Sequence, residues 1–516
     1  MREIKASVSC TNAAAVGKAV SFHGLFRVLF PESDSVMAVY STGLKKNALT
    51  YRQMVRMVLK TAPSVARRLT DVERGSEVGL CMHDGVRWIA VFWALMMNGY
   101  RPVLMCPQDG PASGKGPAVV ITGEDIPESD PDSAEGIPFG NACIPPESAW
   151  ADGFFFRTSV EESCRFDIDA ARSAVIRAMD MPRGRTYEVK ALVFAPLSSP
   201  LGLFSLLALQ AMGAVAVLVQ EGKAGPISDQ ARSHDVTHIV AYPLALSAMA
   251  ARMRRRTDGP FGSGALDKAL SCGGLFGRLR YGSLFRHVRT EMTGLSVEVI
   301  YTIDDDLNPG LLSFFSRIGY ITGCFSDGNG YKPQPVENAV SMNRVRSACL
   351  VSPQAGKPVL VVSLESGMSG RRTALAMEMV RRAVSEAGAD GMEIVFTTDD
   401  LSRGGYRLDR ARIASDLAAG RISLLDQDVS SECRVLSEEE VRKGVTRCFA
   451  KTLDRPVEEI SYTGDFFTSF GGESLDYFVL LSELESTFDV VLSSKDGSRL
   501  SSVKTLTRYI MDHQED

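Results

Sequence analysis

The spacing of apolar residues divides the N-terminal half of the chain into alternating helices and strands. In "ALTYRQMVRMVLKTAPSVARRL" apolar residues recur at helical spacing after Thr50, which is a suitable N-cap. "EVGLCMHD" and "RPVLMCP" are apolar runs typical of buried strands, and "GVRWIAVFWALMMNGY" between them predicts a helix that ends at Asn98 and Gly99. The same order recurs in "KALVFAPLSSPLGLFSLLALQAMGAVAVLVQ" and in "VTHIVAYPLALSAMAARM". It predicts a mostly parallel sheet covered by helices.

From about Tyr331 the pattern predicts a smaller α+β unit, followed by a helical segment. "SACLVSP" and "KPVLVVSLES" predict a pair of strands, "RRTALAMEMVRRAVSEAG" a helix and "MEIVFTTD" a further strand. "LSEEEVRKGVTRCFAKTL" has an acidic first turn and basic residues later, as the helix dipole favours. A helix that begins at Ser474 would place five apolar residues on one face. They are Leu475, Phe478, Leu481, Leu484 and Phe488.

Composition narrows the class of protein. With 516 residues, 45% apolar residues and a net charge of −5, the chain is typical of a soluble globular protein with several structural units, and we expect no nucleic-acid partner. Its ten cysteines have no CxxC spacing, which favours reduced thiols over a disulfide framework or a metal site. The first residues lack a signal-peptide core, and the apolar runs are shorter than the roughly 20 residues of a membrane span. We expect a cytoplasmic protein.

One serine near the C-terminal end lies between a glycine pair and an apolar run, in "FGGESLDYF". Gly471 and Gly472 let the backbone turn into a helix, and Ser474 can cap that helix. A catalytic nucleophile is disfavoured, because the GxSxG motif is absent and no histidine lies nearby in sequence. A helix cap and an attachment point for a prosthetic group therefore stay open.

The segment "DFFTSFGGESLDYFVLLSELESTFDVVL", followed by "SVKTLTRYI", resembles the acyl and peptidyl carrier protein family over a carrier's whole length. The resemblance implies an all-α four-helix domain over residues 435–516, with Ser474 as the attachment serine for 4′-phosphopantetheine from coenzyme A. Its partners would be a phosphopantetheinyl transferase, an external acyl- or aminoacyl-activating ligase, and downstream acyl-processing enzymes. The family usually has Asp or His where this chain has Glu473. The other residues implied at the site are Gly472, Leu475 and Asp476.

The upstream segments "VFWALMMNGYRPVLMCP", "FAPLSSPLGLFSLLALQAMGAVAVLVQ", "VTHIVAYP" and "ALSCGG" resemble, in their order and spacing, the adenylate-forming enzyme superfamily. That superfamily includes acyl-CoA synthetases and the adenylation domains of nonribosomal peptide synthetases. "NGYKPQPVENAV" and "LSRGGYRLDRARI" resemble its small C-terminal subdomain. The resemblance implies a reduced α/β domain over residues 1–315, with parallel sheets and helices, and a small α+β subdomain over residues 316–425. His238 matches a frequent family histidine that either packs beside the acyl pocket or takes part in chemistry.

The first departure from that family lies in "RTSVEESCRFD", where the family has a phosphate loop rich in Ser, Thr and Gly. Thr158 and Ser159 keep hydroxyl groups, but the segment has no glycine and contains Glu161 and Glu162. A phosphate loop presents bare backbone N–H groups to its ligand, and two carboxylates would repel pyrophosphate. We expect this segment to bind no pyrophosphate.

Further departures affect the other nucleotide motifs. In "IYTIDDDLN", where the family has Tyr-Gly-x-Thr-Glu, Thr302 replaces the glycine, Asp304 the threonine, and Asp305 would substitute for the magnesium-binding glutamate. Little more than a short loop is expected where the family has a β-rich subdomain. Cys324 stands where the ribose-binding aspartate would fall, and Arg407 replaces the catalytic lysine.

Together these departures predict a carrier protein fused to a catalytically inactive adenylation-like domain, with no catalytic residues and no bound ATP or magnesium. The inactive domain would be a scaffold or docking platform. Two alternatives stay open: an active ATP-dependent ligase that loads its own carrier domain, and an interaction protein whose carrier domain is vestigial. The carried group stays open too, since fatty-acid-like, polyketide and nonribosomal peptide pathways all use such carriers.

Overall fold

The structure is a computed structural model that forms two compact units. The first comprises Met1–Pro260, Gly264–Pro333 and Leu401–Ile413, and the second Phe261–Ser263, Gln334–Asp400 and Ala414–Asp516. The structure describes residues 12–42, 45–107, 117, 119–126, 143–157, 163–185, 188–219, 227–261, 266, 269–270, 274–304, 307, 309–325, 335–340, 345–352, 358–365, 368, 370–389, 391–403, 407–425, 437–453, 455–472, 474–488 and 500–513.

The first unit is an α/β structure in which strands and helices alternate. Its first part contains α1 (Phe22–Leu29), β1 (Val36–Thr42), β2 (Lys45–Thr50), α2 (Tyr51–Arg68), β3 (Glu77–Cys81), α3 (Val86–Met97), β4 (Arg101–Met105), β5 (Val119–Thr122), β6 (Phe154–Arg157), β7 (Ser163–Phe166) and α4 (Ile168–Met179). Its second part contains β8 (Lys190–Val193), α5 (Pro200–Ala211), β9 (Val215–Leu218), α6 (Ile227–His234), β10 (His238–Val240), α7 (Pro243–Phe261), α8 (Gly274–Thr293), β11 (Val299–Ile303), α9 (Pro309–Ile318) and β12 (Ile321–Phe325).

Two mostly parallel sheets organise this unit, as the strand–helix alternation predicts. The larger sheet has the order β12-β11-β10-β8-β9-β1-β2, and only the β1–β2 pair is antiparallel. The smaller sheet has the order β5-β3-β4-β6-β7, with an antiparallel pair at β6–β7. One hydrophobic core includes Leu80 and Leu104 from the smaller sheet together with Val193, Leu218 and Tyr301 from the larger. The two sheets therefore share a core.

Helix boundaries in this unit follow the local signals. Thr50 caps α2 in a capping box, because its hydroxyl accepts from the Gln53 N–H at 3.2 Å while the Gln53 side chain accepts from the Thr50 N–H at 2.9 Å. The predicted end of α3 is confirmed: Asn98 follows its last residue, and Gly99 has a φ of +80°, which favours glycine.

The stretch after β11 differs from the expectation of a short loop. Helix α9 and strand β12 occupy part of it, and β12 pairs in parallel with β11 from Val299↔Ile321 to Ile303↔Phe325. The domain boundary expected between residues 315 and 316 therefore falls inside α9, before the last strand of the larger sheet. Because apolar residues of α9 pack into the core on one face of that sheet, chain on both sides of residue 315 belongs to one packed layer.

The next elements form a small α+β region. They are α10 (Pro335–Ala339), β13 (Val345–Val351), β14 (Val359–Leu364), α11 (Gly370–Glu386), β15 (Glu393–Thr397), β16 (Ser402–Arg403), β17 (Arg407–Leu408) and α12 (Arg410–Ala418). The predicted strand pair is confirmed as antiparallel β13–β14, and β15 adds to β14 in parallel. The β16–β17 hairpin and the first turn of α12 belong to the first compact unit, whereas the three-stranded sheet belongs to the second.

The C-terminal segment is helical, as predicted. It contains α13 (Glu438–Thr452), a one-turn 3₁₀ helix (Val457–Glu459), α14 (Ser474–Phe488) and α15 (Val503–His513). Ser437 and Glu440 form a capping box at the start of α13, and the acidic first turn suits the positive end of the helix dipole. The three α-helices enclose a separate hydrophobic core that includes Phe449, Leu484 and Leu506.

Candidate functional site

The candidate attachment serine stands at the start of a long helix. Ser474 is the first residue of α14, and Asp476 lies half-buried in its first turn. Glu473 lies outside the described residues, as do the side chains of Ser474 and Leu475. The first N–H groups of a helix have no partner within the helix, and the dipole favours an anion there.

Two glycines shape the approach to α14. Gly471 has a φ of +71°, a left-handed conformation that glycine adopts without strain. A Cβ on residue 472 would lie within 2.8 Å of three carbons of the Phe466 ring, so only glycine fits. The Gly471 N–H donates to the Phe467 carbonyl at 3.1 Å, and the Gly472 N–H to the Phe466 carbonyl at 3.0 Å. The turn into the helix is therefore a close-packed backbone arrangement.

The buried face of α14 differs in part from the predicted one. Leu481, Leu484 and Phe488 are buried as predicted, and Tyr477 and Leu480 join them. The side chains of Leu475 and Phe478 lie outside the described part of the helix. Tyr477 lies four residues before Leu481, a spacing that places both on one helix face, and its ring packs against Phe466 at 5.5 Å between centroids.

A cluster of aromatic rings packs beneath the glycine turn at residues 471 and 472, on the side of the domain core. Phe466 also packs edge-on against Phe449 of α13 at 5.5 Å, and Phe449 contacts Phe470 at 6.3 Å. Such edge-to-face pairs each stabilise by roughly 0.5–1.5 kcal/mol beyond their buried area. The Arg455 guanidinium adds a hydrogen bond to the Phe470 carbonyl at 3.1 Å. The chain before Ser474 is thus held by α13 as well as by α14.

One carboxylate and one phenol connect this region to the start of α15. Asp465 accepts a hydrogen bond from the Ser501 hydroxyl, and this bond, with others from the backbone, lowers the pKa of Asp465. The Tyr477 hydroxyl donates to the Leu500 carbonyl at 3.0 Å. A local signal for the Asp465 turn existed, since Asp followed three residues later by Thr suits an Asx-type turn. No local signal could have found the bond to Ser501, which lies 36 residues further along the chain.

Residues 443–510 match the protein family described as "Phosphopantetheine attachment site". The acyl carrier protein of Buchnera aphidicola subsp. Schizaphis graminum is 30% identical over 70 residues, which cover 14% of this chain and 89% of that protein. The acyl carrier protein of Exiguobacterium sp. is 27% identical over 75 residues, covering 14% of this chain and 95% of that protein. Through this segment the chain belongs to the carrier-protein family.

The cofactor of this carrier domain is covalently attached 4′-phosphopantetheine. The described residues fit the group: a helix N-terminus provides N–H groups for an anionic phosphodiester, and the glycine turn leaves the helix start uncrowded by side chains at residues 471 and 472. On the carrier domain's surface, Lys451 of α13 pairs with Glu483 of α14 at 2.5 Å. That exposed pair contributes little to stability.

Upstream of the carrier domain, two residues aligned with a nucleotide motif, Tyr301 and Thr302, are packed into the core. Tyr301 is 2% exposed and belongs to the shared core with Ile303 and Phe325. Burial raises its pKa above the ordinary range of a phenol. Thr302, on the opposite face of β11, is 0% exposed, and within the described structure its hydroxyl oxygen has no hydrogen-bond partner.

His238 of β10 and Gly323 of β12, in the strands on either side of β11, are closely packed. His238 is 1% exposed, and its Nε2 donates to the Pro182 carbonyl at 3.1 Å while Nδ1 lies 2.8 Å from the Thr237 hydroxyl. Burial lowers the pKa of His238, which keeps the ring neutral. A Cβ on Gly323 would overlap the Pro182 ring and lie 2.9 Å from Tyr301 Cδ2. Both ring nitrogens of His238 are therefore engaged in hydrogen bonds within the fold.

Cys324 and Asp304 lie beside each other at the carboxyl ends of β12 and β11. Although Cys324 is exposed as a residue, desolvation and the charge of Asp304 raise the pKa of its thiol to about 12. The Asp304 N–H donates to the Phe325 carbonyl at 3.0 Å. A neutral thiol cannot accept hydrogen bonds from ribose hydroxyls as a carboxylate does.

The other predicted nucleotide-site residues lie wholly or in part outside the described structure. Thr158, Ser159 and Asp305 lie outside the described residues. Arg407 begins β17, and its side chain lies outside the description. Within the described residues, no helix is both long enough and apolar enough to cross a membrane.

Solved structures extend the similarity to the whole chain. The A-PCP didomain of carboxylic acid reductase from Segniliparus rugosus, solved with AMP, matches with a TM-score of 0.57 at 11% identity, covering 97% of this chain and 96% of that one. The adenylation domain of a carboxylate reductase from Mycobacterium chelonae matches with a TM-score of 0.57 at 10% identity over 80% of this chain and 92% of that one. At such identities the likeness shows the fold alone: an adenylate-forming fold joined to a carrier domain.

Proposed function

We propose that the chain is a cytoplasmic carrier protein whose Ser474 is the phosphopantetheinylated residue, holding an acyl or aminoacyl thioester for partner biosynthetic enzymes. The adenylation-like part is a catalytically inactive scaffold or docking platform. Its partners are a phosphopantetheinyl transferase, an external ligase and acyl-processing enzymes of a natural-product or related pathway.

The observation that supports attachment at Ser474 is its place at the start of α14, directly after the glycine turn that packs on Phe466. When attached, the arm supplies a terminal thiol that carries the acyl group as a thioester. The N–H groups at the helix start favour the phosphodiester, by roughly 0.3–1 kcal/mol for an exposed charge. Asp476 keeps the helix start acidic, which favours basic partner enzymes through electrostatic steering.

Inactivity of the upstream part is supported by burial at β11 and β12. Tyr301 is buried in the core, with 2% of its surface exposed, and the buried Thr302 fills the position of a family glycine. Cys324 keeps a proton where the family has a carboxylate. The buried Tyr301, the Thr302 side chain and the protonated Cys324 would each remove a contact to a different part of a nucleotide, and together they would weaken its binding.

The attachment is tested by intact-protein mass spectrometry of the full chain with coenzyme A and a promiscuous phosphopantetheinyl transferase. We expect the wild-type chain to gain the mass of one phosphopantetheine group and Ser474→Ala to gain none. Thr446→Ala, which removes a hydroxyl that bonds to the Arg442 carbonyl within α13, is the matched control and should gain the same mass as wild type. No gain in the wild type, or a gain that survives Ser474→Ala, contradicts the proposal.

The second candidate function is an active ligase that loads its own carrier. It is favoured by the whole-chain likeness to a didomain solved with AMP and by Arg407, which keeps the charge of the family lysine. ATP–pyrophosphate exchange with a panel of carboxylic and amino acids separates the two functions. We expect no exchange above a heat-denatured control, and exchange with any acid would establish the ligase instead.

A further inference from the structure

Asp465 lies at the first residue of the loop that leads to Ser474, and its carboxylate organises that loop. One oxygen, Oδ1, accepts from the Phe467 N–H at 3.0 Å, from the Thr468 N–H at 2.9 Å and from the Thr468 hydroxyl at 3.1 Å. The Asp465 N–H in turn donates to the Ser469 hydroxyl at 3.1 Å. The loop therefore begins as a closed turn around one carboxylate.

The second carboxylate oxygen of Asp465 reaches a different part of the domain. Oδ2 accepts from the Ser501 hydroxyl in the turn before α15, the Phe466 N–H donates to the Ser501 carbonyl at 2.6 Å, and Asp465 forms a backbone bridge with Ser502. A hydrogen bond to an ionised carboxylate is about twice as strong as one between neutral groups. The Asp465 side chain, together with these backbone contacts, thus joins the loop before Ser474 to the turn that precedes α15.

We propose that Asp465 is a positioning residue of the attachment site, whose carboxylate holds the loop before Ser474 in the conformation that the phosphopantetheinyl transferase receives. This inference rests on the proposed attachment at Ser474. The start of α14 is held at the same turn, because the Tyr477 hydroxyl donates to the Leu500 carbonyl there. Asp465 and Tyr477 therefore hold the loop and the helix start against one turn, residues 500–502.

Loss of the Asp465 link should reduce the fraction of molecules that the transferase can bind. If the loop samples other conformations when the link is cut, only a fraction of molecules can be bound, and the apparent affinity falls by that fraction. Once the transferase has bound the ordered loop, the chemical step is unchanged. Cutting the link should therefore raise KM for the apo-chain and leave kcat near the wild-type value.

The test uses the full-length apo-chain as substrate of the transferase, with three variants. Ser501→Ala removes only the link to the turn, Asp465→Ala removes the link and the loop turn, and Glu459→Gln removes a negative charge from an exposed site in the same domain. We expect a KM increase of about threefold for Ser501→Ala and about tenfold or more for Asp465→Ala, as loss of charge-assisted hydrogen bonds implies. Glu459→Gln should match wild type.

Hydrogen-exchange mass spectrometry of the same variants separates positioning from general destabilisation. We expect faster exchange in residues 466–472 with unchanged protection in α13 and α15. An unchanged KM in Asp465→Ala, or equal loss of protection in α13, α15 and the loop, would overturn the inference. Failure of the proposed function looks different, since the wild-type chain itself would then gain no phosphopantetheine.

Discussion

The Phe466 ring lies against Gly472 so closely that a Cβ on residue 472 would come within 2.8 Å of three ring carbons. Gly472→Ala must therefore move the ring or the turn, and such overpacking typically costs about 1–3 kcal/mol. Hydrogen exchange in α14 should become faster in this variant, and loading by the transferase slower. Gly370→Ala is the matched control, because nothing lies within 4 Å of a Cβ there. Unchanged exchange in Gly472→Ala would contradict the packing argument.

Thr302 buries a hydroxyl oxygen that has no partner in the described structure. Thr302→Val keeps the shape and removes the uncompensated polar group, so we expect the free energy of unfolding to rise by about 1 kcal/mol. All three tryptophans of the chain, Trp88, Trp93 and Trp150, lie in the first compact unit, so urea unfolding followed by tryptophan fluorescence measures that unit.

The control for this prediction is a buried threonine whose hydroxyl forms hydrogen bonds. The Thr237 hydroxyl accepts from the Lys190 N–H at 3.0 Å and lies 2.8 Å from His238 Nδ1, so Thr237→Val should destabilise the same unit. A loss of stability in Thr302→Val as large as that in Thr237→Val would mean that the Thr302 hydroxyl has a partner.

Asp152 joins two strands of the smaller sheet through arginines. Its carboxylate accepts from Arg101 at 2.5 and 2.9 Å and from Arg165 at 2.8 Å, and the Arg101 hydrogen bond is the main cause that lowers the pKa of Asp152. A lowered folded-state pKa contributes stability above the unfolded-state pKa of about 3.9, and this contribution is lost as the pH falls through the folded-state value.

Asp152→Asn should therefore lower the free energy of unfolding near neutral pH by no more than about 1 kcal/mol, because the pair is half exposed and screened. The difference from wild type should begin to shrink below about pH 4, where the unfolded-state carboxyl becomes protonated, and should be lost once the pH falls below the lowered pKa of the folded state. Urea unfolding by tryptophan fluorescence at a series of pH values measures this, with Glu32→Gln as an exposed control. A difference that is constant with pH would assign the effect to packing.

Cys324 should be an unreactive thiol. Its pKa is raised to about 12, and the thiolate is the form that reacts with alkylating reagents. At pH 8 we expect iodoacetamide to modify Cys324 at least about tenfold more slowly than the exposed Cys143, as followed by peptide mass spectrometry. Asp304→Asn removes a neighbouring charge that raises the pKa and should speed the reaction. Equal rates for the two cysteines would contradict the desolvation of the Cys324 thiol.

Local patterns were sufficient for most elements of the fold. Thr50 with Gln53 marks the start of α2, and Gly99 marks the end of α3, because capping and left-handed turns depend on residues that are close in sequence. The stretch after β11 was harder to predict. Its apolar residues are explained by the pairing of β12 with β11 and by the packing of α9 on the sheet, neither of which leaves a local signature.

At the candidate site, too, some features follow from short runs of sequence and others arise only in the folded structure. The glycine turn, the helix that begins at Ser474 and the family of the C-terminal domain follow from the amino-acid sequence, because each depends on a short run of residues. Only the folded structure brings the Tyr477 hydroxyl to the Leu500 carbonyl, Asp465 to Ser501, and both Pro182 and Tyr301 close to Gly323. These relationships join residues far apart in the chain, and their energies exist only once packing has brought the side chains together.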